Sequence, residues 1–127
     1  MTYFCTYCSA RKDKREGLLP AIERYKDERI THIYDGAMAI GVGFLILSGE
    51  YGLIRSKDKI PYYDHRLMAE EVEAIARKMV KQLKRLHATQ IVYFTESLEK
   101  DRQVGPYLRA IQIACDRASV ALSVFNI

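Results

Sequence analysis

Apolar and polar positions along the chain switch between the period of a strand and that of a helix, and the switches outline the elements. Tyr3 to Cys8, rich in aromatic, Thr and Cys residues, predicts a first strand. Ser9 to Gly17 is polar and basic and marks a loop. Leu18 to Lys26 predicts a short helix with Leu18, Leu19, Ile22 and Tyr25 on one side. Arg29 to Val42 fits either a helix carrying Ile30, Ile33, Ala37 and Ile40 or a strand near Ile30 to Tyr34, and Ala37-Met38-Ala39 favours the helix. Gly43 to Leu47 is a short continuous apolar run, the pattern of a strand buried on both faces. Ser48 to Leu67 reads as a long loop.

The second half is plainer. From Met68 to His87, the residues Met68, Val72, Ile75, Ala76, Met79, Val80, Leu83 and Leu86 recur at helical spacing. Glu70 and Glu71 at its start, and Lys84, Arg85 and His87 at its end, suit the helix dipole. Gln90 to Thr95 predicts a strand. Pro106 to Ala118 predicts a helix with Gly105 as its cap, and Ser119 to Phe125 a last strand. Strands alternating with helices imply a single α/β domain over residues 1–127. Its expected form is three-layered: a mainly parallel sheet of about four strands, with helices on both faces. In such sheets ligands bind beyond the carboxyl ends of the strands. The Ser48–Leu67 segment leaves one such end.

Charge adds little. Lys and Arg number 20 against 16 Asp and Glu, a net charge of +4, which permits a polyanionic partner without requiring one. The longest apolar stretch, Ala37 to Leu47, is broken by Gly41 and Gly43 and falls short of the roughly 20 residues of a membrane span. The first residues lack the pattern of a secretory leader. Three cysteines, an odd number, point to a reducing, cytoplasmic setting. Cys5 and Cys8 form a Cys-x-x-Cys, but only Cys115 remains to complete a zinc site, and the pair lies in a strand instead of at a helix start. No metal or cofactor is expected.

The Ser48–Leu67 segment carries most of the candidate chemistry. Gly49 and Gly52 allow a tight turn with exposed backbone N–H groups, able to bind an anion or a base edge alongside the Ser48 hydroxyl. Tyr51, Tyr62 and Tyr63 offer stacking faces, and Arg55 and Arg66 offer planar donors for phosphate or carboxylate. Asp58, Asp64 and His65 have the chemistry of acids, bases or hydrogen-bond partners. The plainer reading is that the glycines only shape a turn, the tyrosines pack it down and Arg55 pairs with Asp58. Ser9 and Lys12, after the first strand, belong to the same end of the sheet. So do Arg11, Lys14 and Arg15, either as a positive rim or as a solvated loop.

The segment resembles the motif Leu-Ser-x-x-Tyr-Gly-Leu-Leu-Arg-x-x-Asp-x-Ile-x-x-Tyr of the YaaA-like peroxide-stress family. Leu47, Ser48, Tyr51, Gly52, Leu53, Arg55, Asp58, Ile60 and Tyr63 supply the matches. It is equally similar to short bacterial and phage domains of unknown function, in which the segment ends Tyr-Asp-x-x-Leu, here Tyr63, Asp64 and Leu67. Their opening, a strand leading into Cys-Ser-x-x-Lys, is matched by Cys8, Ser9 and Lys12. The resemblance implies binding of DNA, RNA or a nucleotide and a DNA-protection or stress role. The helix-hairpin-helix-like insertion of the longer family members has no counterpart here.

Three functions follow as expectations. In the first, Tyr51 and Tyr63 flank a base, Lys12, Arg55 and Arg66 hold phosphate, and Ser9, Ser48, Gly49 and Gly52 supply hydrogen bonds. In the second, the chain is an enzyme cleaving an N-glycosidic bond, with Asp58 or Asp64 activating water and His65 or Arg55 stabilising charge. In the third, the tyrosine-rich segment is a non-catalytic protein contact.

Overall fold

The computed structural model describes the whole chain, Met1 to Ile127. Strand β1 (Thr2–Tyr7) lies at the centre of the main sheet. After it the chain forms a two-residue strand β2 (Leu19–Pro20), a single helical turn α1 (Ala21–Arg24) and helix α2 (Glu28–Ile40). Strands β3 (Gly43–Ser48), β4 (Gly52–Arg55) and β5 (Lys59–Ile60) follow. A 3₁₀ turn (Ala69–Glu71) leads into α3 (Val72–Arg85), then come β6 (Gln90–Thr95), α4 (Gly105–Ala118) and β7 (Ala121–Asn126).

The main sheet has five strands, ordered β4-β3-β1-β6-β7, against the expected four or so. β1 runs parallel to β3 and β6, and β6 parallel to β7; only β4 is antiparallel. The extra strand lies inside the stretch expected to be loop. Glu50 and Tyr51 donate their amides to the Ser48 hydroxyl, at 3.0 and 3.1 Å, and Gly52 takes φ +74°, so the chain doubles back. The returning Leu53 and Ile54 are buried, and Leu53 pairs with Leu47 and Ile54 with Ile46. Two residues were too few to show a strand period.

The expected Leu18–Lys26 helix contracts to α1. Pro20, which has no amide proton, ends β2 and starts the turn, and Leu18 stays exposed. The ambiguous Arg29–Val42 region is a helix. It is capped by the Asp27 carboxylate, which accepts from the Arg29 amide, and stopped by Gly41 at φ +77°. α4 takes Gly105 into its first turn instead of using it as a cap.

Packing follows the apolar stripes. α2 buries Ile30, Ile33 and Ala37, and its Tyr34 ring meets Phe44 edge-on at 5.4 Å. α3 buries Val72, Ile75, Ala76, Met79 and Leu83, and lies against α4 and β4. The Tyr3 hydroxyl donates to the Leu86 carbonyl just beyond α3. No helix is long and apolar enough to cross a membrane.

The connections position a site. From β1 the chain moves through α2 to β3 on one side. From β6 it moves through α4 to β7 on the other. The order therefore reverses between β1 and β6, and a crevice opens beyond their carboxyl ends.

Candidate functional site

An open cleft of about 1470 Å³ occupies that crevice. Its walls are the Tyr7–Lys12 segment, Tyr25 with the first half of α2, the Asp64–Arg66 segment and the stretch from Asp101 to Tyr107. At the floor, Arg29 lies over the Tyr7 ring, 3.7 Å from its centroid. It donates to the carbonyls of Tyr7 and Cys8 at 2.8 and 3.3 Å, and its ion pair with Asp27 spans 3.4 Å. Its guanidinium is thus spent on closing the end of β1. Beside it the Tyr107 hydroxyl accepts from the Leu67 amide at 3.0 Å and lies 3.6 Å from the Cys8 sulfur.

A buried arginine holds the outer wall. Arg24 is completely enclosed, and no carboxylate contacts it. Its Nη1 donates to the carbonyls of Asp13 and Arg15 at 2.7 and 2.9 Å, and its Nη2 to Gly17 at 2.6 Å. Nε and Nη2 share the Ile60 carbonyl at 3.3 and 3.1 Å. One side chain therefore ties the basic loop after β1 to β5. The β2–β5 pair and the Ala21 amide, which donates to the Asp58 carbonyl at 2.8 Å, complete the seam. The two basic segments of the sequence come together as expected, through backbone carbonyls and not through their charges.

A line of hydroxyls runs inward from Tyr25 on the cleft wall. Ser48 and Tyr63 oxygens are 2.7 Å apart, and Tyr63 and Tyr25 oxygens 2.5 Å. Burial raises the proton affinity of Tyr25 and Tyr63 well above that of an ordinary phenol.

The expected site residues divide. Ser9, Lys12, Asp64, His65 and Arg66 line the cleft. The Ser9 hydroxyl donates to the Arg11 carbonyl at 2.6 Å. The Lys12 ammonium is 4.7 Å from the centroid of the Tyr63 ring. Asp64 has no ion-pair partner, and the one hydrogen bond of the Arg66 side chain is to the Met68 sulfur, at 3.7 Å. Ser48, Gly49 and Gly52 are buried behind the cleft. A Cβ on Gly49 would come within 2.9 Å of the His65 carbonyl and the Leu67 amide, so this glycine lets two backbones touch. Tyr51 packs edge-on against Tyr63 at 5.2 Å. Arg55 and Asp58 pair with each other at 3.1 Å on the β4 edge, outside the cleft lining.

His65 is doubly held. Its Nδ1 lies 3.1 Å from a Glu50 oxygen and its Nε2 2.8 Å from a Glu71 oxygen, so both ring nitrogens face carboxylates. Glu50 first, then Glu71, raise the proton affinity of the ring, although partial burial opposes them. Glu71 is held below the usual carboxylate range by the Met68 amide first and by His65 second.

Tyr7, Tyr25, Arg29 and Tyr107 were not expected in the site. Arg29 had a signal: it lies in the first turn of a helix that follows the central strand, just after the Asp27 cap. The others read as ordinary core aromatics. Among the lining cations Arg15 and Lys26 pair with Asp13, whereas Arg11, Lys12 and Arg66 have no ion pair. Glu28, Asp35 and Asp64 also line the cleft without one, so its charge is mixed. No cluster of His, Cys, Asp and Glu has the arrangement of a metal site. No family model matches the chain, and no curated protein or solved structure does so either.

Proposed function

We propose that the chain binds a nucleotide in the cleft beyond β1 and β6, with a short nucleic-acid strand as the larger version of the same ligand. The observation that carries this reading is that the unpaired cations Arg11, Lys12 and Arg66 line one cleft together with Tyr7, Tyr25 and Tyr107, where the strand order reverses. Mixed charge favours a small ligand over a duplex. Duplex DNA presents one charge per about 1.7 Å of axis and demands a long positive face, and the free carboxylates oppose that. The volume, about 1470 Å³, exceeds the roughly 300–1,000 Å³ of most small-molecule sites and leaves room for more than one nucleotide. Arg29 covers one face of the Tyr7 ring and Lys12 lies over one face of the Tyr63 ring, so these faces would not stack on a base.

The three-layer arrangement belongs to this proposal. Tyr3 and Phe4 are neighbours in β1 and face opposite sides of the sheet. Tyr3 bonds to the end of α3, and Phe44, the register partner of Phe4, packs on α2.

Thermal unfolding with mononucleotides, short single strands and duplexes, at low and moderate salt, tests the reading. A ligand at 100 times its Kd adds about 2.7 kcal/mol, several degrees for a chain of this size. A shift that Lys12→Ala and Arg66→Ala reduce supports it. No shift with any nucleotide or strand defeats it. The enzymatic alternative rests on Asp64, the unpaired carboxylate of the expected acid–base set inside the cleft. It requires that Asp64→Asn abolish release of free base from a nucleoside while binding persists.

A further inference from the structure

We infer that the Tyr25 hydroxyl is the fixed hydrogen-bond donor of the cleft and that the group bound beside it, next to Lys12, is an anionic phosphoryl oxygen. The ligand class rests on the nucleotide reading; the direction of the hydroxyl line does not.

The direction follows from valence. A serine hydroxyl has one proton and two lone pairs. Both lone pairs of Ser48 are taken, by the amides of Glu50 at 3.0 Å and Tyr51 at 3.1 Å. Its proton must therefore go to the Tyr63 oxygen, 2.7 Å away. Tyr63 receives from Ser48; if Tyr25 also donated to it, the Tyr63 proton would be left unpartnered away from the cleft, whereas giving that proton to the Tyr25 oxygen, 2.5 Å away, leaves free only the proton of Tyr25, which lines the cleft. The reverse order would press a third bond on Ser48 and leave its proton without an acceptor. Tyr25 thus ends the line holding a proton for which the protein supplies no acceptor, although the residue is only 3% exposed.

A buried donor without a partner is costly, and Tyr25 lines the cleft. Close by is Lys12, whose ammonium is 5.9 Å from the Tyr25 ring centroid and 4.7 Å from that of Tyr63. An ammonium donates and never accepts. Tyr25 and Lys12 therefore present a hydroxyl proton and an ammonium close together, and an anionic oxygen is the acceptor that binds such a pair most strongly. The unpaired Arg11 and Arg66 on the same cleft favour a phosphoryl group, with its double charge, over a carboxylate. The backbone turn that fixes Ser48 fixes the whole line, so the donor is in place before the ligand arrives.

Calorimetric titration of the full chain with inorganic phosphate, pyrophosphate, AMP and acetate tests this, in wild type, Tyr25→Phe and Tyr63→Phe. One hydrogen bond to a charged group is worth roughly tenfold to a hundredfold in affinity. Tyr25→Phe is expected to weaken phosphate and AMP by that factor. Tyr63→Phe, which keeps the donor but removes its support, is expected to weaken them a few-fold. Phosphate that binds in a Tyr25-dependent way, with AMP binding no tighter, upholds the inference and sinks the nucleotide reading. AMP binding undiminished in folded Tyr25→Phe overturns the inference and leaves the nucleotide reading standing. Acetate binding as tightly as phosphate overturns the phosphoryl assignment, and no binding by any of the four overturns both. Should Tyr25→Phe not fold, the Tyr25 hydroxyl proton resonance of the wild type decides. A downfield shift on adding phosphate supports the donor role, and an unmoved resonance refutes it.

Discussion

Two regions drawn from neighbouring stretches of sequence use arginine in opposite ways. At the β4 edge, Arg55 is exposed, and its guanidinium pairs with Asp58 three residues on, a side-chain contact made within one turn. Behind the cleft wall, Arg24 is fully enclosed and its guanidinium is shared among four carbonyls from segments up to 36 residues away. The first arrangement is written into local spacing and so stands out when the sequence is read. The second is invisible there, because nothing near Arg24 announces its partners. The difference teaches that a conspicuous motif can mark a local ion pair, while the residue that shapes the neighbouring cleft looks like an unremarkable helix end.

Arg24→Ala breaks the comparison at its strongest point. It leaves the carbonyls of Asp13, Arg15, Gly17 and Ile60 buried without a donor, and an expected loss of about 3–5 kcal/mol should appear in urea unfolding. Amide exchange should rise first in the loop from Asp13 to Gly17. A loss below 1 kcal/mol would mean that the carbonyls find water and that the clamp is dispensable.

Gly49→Ala comes next. The new methyl would press on the backbone at His65 and Leu67, which cannot swing aside like a side-chain tip, so a loss of about 1–3 kcal/mol is expected in the same assay. This sharpens the comparison, because it separates the half of the Ser48–Leu67 segment that leans on the cleft from the half that does not.

His65 gives a smaller, pH-dependent effect. Its folded-state proton affinity is raised, so its contribution is fully present below the unfolded value of about 6.5 and is lost as pH rises through the higher folded value. Stability should therefore decline above about pH 6.5, and the decline should vanish in His65→Gln. A wild-type profile identical to that of the variant would show that the two carboxylates do not hold the imidazolium. Smallest of all, Arg55→Ala should change stability by no more than about 0.5 kcal/mol, as exposed ion pairs do, and leave ligand binding unaltered.

The long periodic elements were legible in the sequence. The apolar stripes of α3 and α4 and the continuous run of β3 needed only their own residues to be recognised, and their ends moved by a few positions. β4 was not legible, because its strand character comes from pairing Leu53 and Ile54 with β3, and two residues carry no period. β2 and β5 each have meaning only in the presence of the other. The cleft was half legible. Ser9, Lys12, Asp64, His65 and Arg66 lie on it because they follow strands or face that end of the sheet. The Tyr25 and Tyr63 hydroxyls meet across 38 residues, and a pattern of apolar positions treats such tyrosines as core.

The central place of β1 also sets how the chain must fold. Its register runs from Thr2 opposite Gln90 to Thr6 opposite Phe94, a separation of 88 residues. Closing loops of that length is entropically slow, and such topologies fold later than those built on local contacts. On a ribosome, β1 emerges first with one flank open and keeps only β3 for company until β6 has been synthesised. The edge where β6 will sit is for that interval an unpaired strand, and unpaired strands are where nascent chains stick to one another. The crevice beyond β1 and β6 forms only when β6 docks, so the last long-range pairing of β1 is also the one that shapes the cleft.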